Sequence, residues 1–149
     1  SLDTMTFTPG PAMATPRRGC AAVALDEHRV LVAGGESVSE TLNTTEVLDI
    51  RTMAFAPGPS MGLARCECAA VQVDAQHVLV IGGQDSSDSA LATTELLDLA
   101  MLEFEPGPAM QTARLGCAAV RLDDARGPQI LVITGFNGGA LSSTEALAA

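Results

Sequence analysis

Apolar residues in this chain come in short runs broken by turn-forming residues, and the pattern repeats three times. A run of small apolar residues (Cys20 to Leu25, Cys68 to Val73, Cys117 to Leu122) is followed by a β-branched one, VLVAG, VLVIG and ILVITG. These close on Gly34-Gly35, Gly82-Gly83 and Thr134-Gly135. After a polar loop comes a third run, TEVLDI, TELLDL and TEALAA, and a short fourth around Phe7, Phe55 and Phe104 stops at Pro-Gly-Pro. Short apolar runs bounded by glycine, proline and aspartate read as strands. Proline ends the fourth because it has no N–H to give a sheet. Nothing has the roughly 3.6-residue period of a long amphipathic helix. Each copy therefore predicts four strands, A to D, and copies restart at Phe7, Phe55 and Phe104, at intervals of 48 and 49 residues.

A four-stranded repeat of roughly 50 residues is one blade of a β-propeller. Strand A, built of small residues, suits the crowded place nearest a propeller axis. Strand B, apolar on both sides, suits a strand covered on both faces by neighbouring blades. The chain reads as one all-β domain over residues 1–149, with repeats at about 7–54, 55–103 and 104–149.

Several of these residues resemble kelch repeats. They are the R-x-G that opens strand A in Arg17-Arg18-Gly19 and Arg114-Leu115-Gly116, the double glycine after strand B, Glu46 to Asp49 in strand C, and Phe55 to Met61. The resemblance covers essentially the whole chain. There are departures: Leu48 and Leu97 stand where the family has tyrosine, phenylalanine replaces tryptophan in strand D, Glu67 replaces a glycine, and Thr134 interrupts the last double glycine. The resemblance implies a kelch-type β-propeller with three four-stranded blades per chain.

Propellers of this kind often close by pairing strands from the two ends of the chain, which covers otherwise sticky edges. Aligned by repeat, Ser1 is level with Asp49 and Ala149 with Ile50, so the first strand is a D and the last blade lacks one. Rings hold about 4 to 8 blades, and two copies supply six. The expectation is a six-bladed homodimer with strand exchange. In it, residues 1–8, with a strand around Thr4 to Thr8, complete the partner's last blade beside Thr144 to Ala148. The rival reading is half of a longer natural chain.

Net charge is −10, and all eight cations are arginine: Arg17, Arg18, Arg29, Arg51, Arg65, Arg114, Arg121 and Arg126. That balance disfavours nucleic acid and anionic membranes as partners. The longest apolar runs fall far short of the roughly 20 residues that span a bilayer. Cys20, Cys68 and Cys117 fill the same slot of successive blades, so buried thiols are expected rather than disulfides, which fits a reducing, cytoplasmic setting. Cys66 and Cys68 form a C-x-C, two ligands short of a zinc site. No Ser-His-Asp order, H-E-x-x-H or phosphate loop is present, so no catalytic residue, cofactor or metal is expected. A copper-radical enzyme of the galactose-oxidase kind, which also resembles kelch, is excluded because the chain has no tyrosine.

With alternating strands, the D-to-A and B-to-C connections share one face. That face is expected to carry Arg17, Arg65 and Arg114 near the axis, ringed by the loops ESVSETLN, QDSSDSALA and FNGGALSS. The opposite face collects Asp26, Glu27, Asp49, Asp74, Asp98, Asp123 and Asp124. In kelch domains that recruit proteins, arginines at this step hold a partner's carboxylates, which implies that role for these three. Asp85, Ser86, Phe136 and Asn137 are the loop candidates, since loops carry specificity. Asp85, Ser86 and Asp88 read either as cation ligands or as solvated turn residues. The functional reading is a protein–protein interaction scaffold offering an arginine-lined channel mouth to an acidic peptide or protein. Alternatives are an acidic-sugar binding protein or isomerase using the same arginines, and a purely structural self-assembling propeller. Because the arginines recur in register with Glu46, Glu95 and Glu145, a competing reading makes them salt bridges between blades.

Overall fold

The strand runs form three antiparallel sheets laid out in sequence order in a computed structural model of the chain, which describes residues 6–125 and 127–148. The first sheet pairs β1 (Ala21–Ala24), β2 (Arg29–Ala33), β3 (Thr45–Asp49) and β4 (Ala54–Pro57) in that order. The second pairs β5 (Ala69–Gln72), β6 (His77–Ile81), β7 (Thr94–Asp98) and β8 (Glu103–Pro106). The third holds β9 (Ala118–Asp124), β10 (Gly127–Ile133) and β11 (Thr144–Ala148). Four strands per blade thus hold for the first two sheets, and the third has three among the described residues. Of the strand expected at Thr4 to Thr8, Thr4 and Met5 lie outside the described residues, and Thr6 to Thr8 carry no strand.

The sheets stack face to face. Ala21, Leu31 and Ala33 of the first blade meet Cys68, Val78 and Val80 of the second in one core. Ala69, Val71, Leu79 and Ile81 on the second blade's other side meet Ile130 and Val132 of the third. The middle blade is covered on both faces, so β6 has no room for alternation. Val78, Leu79, Val80 and Ile81 are all buried. Each such side chain contributes about 1.5–3 kcal/mol relative to exposure.

Backbone hydrogen bonds stitch the same seams. Met61 N–H donates to Asn43 O at 2.8 Å and Arg65 N–H to Leu42 O at 3.1 Å, repeated as Met110 to Ala92 at 2.8 Å and Arg114 to Leu91 at 3.0 Å. The glycine pair after strand B follows from this closeness. Gly34 and Gly82 sit at φ 64° and 60°, and a Cβ on them would lie 2.3 Å and 2.5 Å from the carbonyl oxygens of Arg65 and Arg114. Thr134 takes the equivalent place at φ 60° on the third blade, which has no following blade among the described residues.

The outer faces of the stack stay apolar. Val71 is 8 % exposed, whereas its repeat-equivalent Val120 is 40 % and the neighbouring Leu122 is 49 %. All four cysteines are free. Burial pushes the Cys68 thiol up to about 11, which keeps it protonated and unreactive.

Candidate functional site

Arg17, Arg65 and Arg114 each precede strand A, and none reaches open water: all three side chains are 0 % exposed. Each runs across its own blade toward strand C. Arg65 Nη1–H donates to Gly82 O at 2.8 Å and Thr93 O at 3.1 Å, and Nη2–H to Glu95 Oε1 at 2.8 Å. Arg17 makes the same set with Gly34 O, Thr44 O and Glu46, and Arg114 with Thr134 O, Ser143 O and Glu145. In each case the remaining Nε–H is buried without a partner.

The glutamates finish a staple. Glu95 also accepts the backbone N–H groups of Gly62 and Leu63 at 2.6 Å and 3.1 Å, tying strand C to the turn that leads into the blade. Glu46 holds Ala14 and Thr15, and Glu145 holds Gln111 and Thr112, in the same way. Burial pushes the Glu46 and Glu145 carboxyls up. Those backbone donors and then the guanidinium outweigh it, so both sit below the ordinary glutamate value.

This geometry changes the reading of the three arginines. Their Nη groups bond within the blade and their side chains are wholly buried, so they do not line an open mouth where a partner's carboxylate or an acidic sugar would meet them. The salt bridges are within a blade, not between blades. Removing one partner of such a buried pair is costly because the other is left charged and unpaired.

The loop face itself is real, and its chemistry changes from blade to blade. An isolated bridge pairs Arg18 with Glu36, Cys66 with Gln84, and Leu115 with Phe136, one pair per blade at one repeated backbone position. The first blade shows an exposed ion pair there, Arg18 to Glu36 at 2.6 Å. The second shows amide and carboxylate, with Gln84 Nε2–H donating to Asp88 Oδ1 at 2.8 Å. The third is apolar, with Phe136 48 % exposed. Val38 projects fully from the first loop. Asn137 and Ser86 are exposed beside these positions.

Asp85 is committed to its own loop. Its Oδ1 accepts the N–H of Ser87 at 2.8 Å and of Ser89 at 3.0 Å, an Asx turn. No group of three or more His, Cys, Asp or Glu side chains among the described residues could hold a metal. On the opposite face, Asp26, Asp49, Asp74 and Asp98 cap turns through backbone N–H groups.

Glu67 was readable only as a missing glycine. It sits at φ 52°, its N–H donates to Gly19 O at 2.7 Å, and Gly116 N–H donates to its carbonyl at 2.8 Å. A backbone ladder therefore runs from blade to blade through this position, and the Glu67 side chain lies over Gly19.

The Kelch motif family model matches residues 16–62, which run from the turn before β1 through the whole first blade to the entry of the second. Residues 16–62 therefore carry a kelch motif. No curated protein matches the chain. The second and third blades repeat the arginine–glutamate staple of the first.

Proposed function

We propose that this chain is a protein-interaction scaffold whose recognition surface is the face bearing the B-to-C loops. One observation carries this: the same backbone slot holds a charged pair (Arg18 and Glu36), a buried thiol with an amide (Cys66 and Gln84) and an apolar pair (Leu115 and Phe136) in successive blades. A purely structural position repeats its chemistry, as the arginines do, whereas this one varies while its backbone stays fixed. Phe136, Asn137, Val38, Ser86 and the edge of the Asp85 loop form the contact set. The partner is a protein segment offering an apolar side chain together with neutral or basic groups. With Arg17, Arg65 and Arg114 buried and the exposed Arg18 paired with Glu36, the exposed Glu67 and Asp88 leave this face acidic, which favours cations over carboxylates.

The assembly that presents this face is a six-bladed ring of two copies. The exposed outer sides of the first and third blades are repeat-equivalents of the two halves of the internal seams, which supports packing one against the other. Six blades fall within the usual range of about 4 to 8.

The test is a peptide-display selection on the intact chain, with the recovered peptides titrated against loop variants. Phe136→Ser and Val38→Ser are expected to weaken binding at least about tenfold, as for central apolar anchors. Arg121→Ala, on the other face, should leave it unchanged. Recovered peptides that bind all three variants equally, or that are uniformly acidic, would contradict the proposal.

A further inference from the structure

The third blade has a bare edge with an empty cleft beside it. β3 and β7 are each flanked by a fourth strand, but β11 is the outermost strand of its sheet among the described residues. An unpaired edge is a template for another strand. Beside it, between the second and third blades, lies a cleft of about 130 Å³ lined by Leu79, Ile81, Met110, Ile130, Val132 and Leu147. An apolar space of about 150 Å³ is enough to bind benzene, so this one is the size of an aromatic ring.

The preceding seam has a ring at that place. Phe104 of β8 lies across from Leu97 of β7 and packs on the core with Met61, Val78 and Val80. Leu147 is the repeat-equivalent of Leu97. A strand beside β11 with a phenylalanine opposite Leu147 would put its ring in the cleft. The missing strand also explains a polar difference. Thr45 and Thr94 are buried with their hydroxyls donating to Pro59 O and Pro108 O, while Thr144 is exposed.

One segment of the chain has the right sequence and no place to bury it. Phe7-Thr8-Pro9-Gly10-Pro11 matches Phe55 to Pro59 and Phe104 to Pro108, and Phe7 is fully exposed. β4 belongs to the blade before the one that Met61 enters, and β8 to the blade before the one that Met110 enters. By the same rule Phe7 belongs to a blade before the first, and the described residues contain none. The first and third blades also carry unspent halves of the seam bonds. The N–H groups of Met13 and Arg17, and the carbonyls of Ser142 and Leu141, are the equivalents of the groups bonded at both internal seams, and they have no partner among the described residues.

We propose that β11 and its cleft are a strand-acceptor site, and that the occupant is Thr6 to Pro9 of a second copy. The strand lies antiparallel, with Phe7 opposite Leu147 and Pro9 opposite Glu145. This register is that of Phe104 on Leu97 and Pro106 on Glu95. The choice of occupant rests on the two-copy reading given above. Thr134 makes the outer half of the junction decisive. A Cβ at its position meets the next blade's arginine carbonyl in both internal seams, so a third junction cannot copy them at its inner end. The exchanged strand holds the copies where the inner contact does not.

The experiment pairs Thr8→Cys with Ala146→Cys, neighbours across the two strands in this register. After mild oxidation, species are separated on a non-reducing gel, with each single variant as the control for the native thiols. A dimer band specific to the double variant is expected. Phe7→Ala, at an exposed position that leaves the blades intact, should weaken self-association at least about tenfold. Light scattering on the same samples separates two failures. A dimer that neither cross-links nor responds to Phe7→Ala overturns strand exchange and leaves the two-copy ring standing. A monomer throughout overturns both.

Discussion

Arg65→Ala is expected to lower the stability of the chain by about 3–5 kcal/mol, the range for a buried ion pair that loses one member. Five hydrogen bonds explain the size. The guanidinium holds Gly82 O, Thr93 O and Glu95 at once, and Glu95 in turn fixes the turn at Gly62 and Leu63. With the arginine gone, a carboxylate is stranded in the blade. Arg65→Lys should also destabilise, because a point ammonium cannot span two carbonyls and a carboxylate as a planar fork does. Arg18→Ala is the control: its pair with Glu36 is exposed, and such pairs contribute roughly 0–1 kcal/mol. Urea unfolding followed by far-ultraviolet circular dichroism measures all three. Equal midpoints for Arg65→Ala and Arg18→Ala would remove the staple from this account.

Gly82→Ala and Thr134→Gly are expected to move stability in opposite directions although they alter equivalent positions. Both residues sit at φ 60°, where an L side chain is strained by about 1–3 kcal/mol. At Gly82 an added Cβ also meets Arg114 O at 2.5 Å, so the second seam must open, and a loss of more than about 2 kcal/mol is expected. Thr134 already bears the strain, so glycine there should raise stability by about 1 kcal/mol. Thr134→Gly should also tighten self-association by making room for the Arg17 carbonyl of a second copy. A destabilising Thr134→Gly would mean that the threonine makes a contact outweighing its backbone strain.

The fold was legible because it is written three times. Apolar runs, turn residues and the 48- and 49-residue intervals locate all eleven described strands, since each blade is a local antiparallel meander. The arginines were legible as partners of the glutamates, which lie 29, 30 and 31 residues on in the three blades. Their direction was not. A residue at the step before strand A can turn toward the axis or run across its own sheet. The choice depends on the carbonyls of Gly34 and Thr44 and their equivalents, which only the folded loop brings together. A charge that recurs unchanged in every unit was the better guide, and it pointed to construction. The varying pairs at Arg18, Cys66 and Leu115 were present in the sequence too, but nothing in it marked them as facing Glu36, Gln84 and Phe136 across a loop.

The size of the assembly decides most directly whether the blades form a ring. Size exclusion with light scattering on the intact chain measures it, with refractive-index detection because the sequence has neither tryptophan nor tyrosine and so barely absorbs at 280 nm. The account predicts a mass near twice 15.2 kDa, held across a dilution series down to micromolar protein. A mass of 15.2 kDa at every concentration would contradict it, leaving the apolar faces of the first and third blades without the partner assigned to them here.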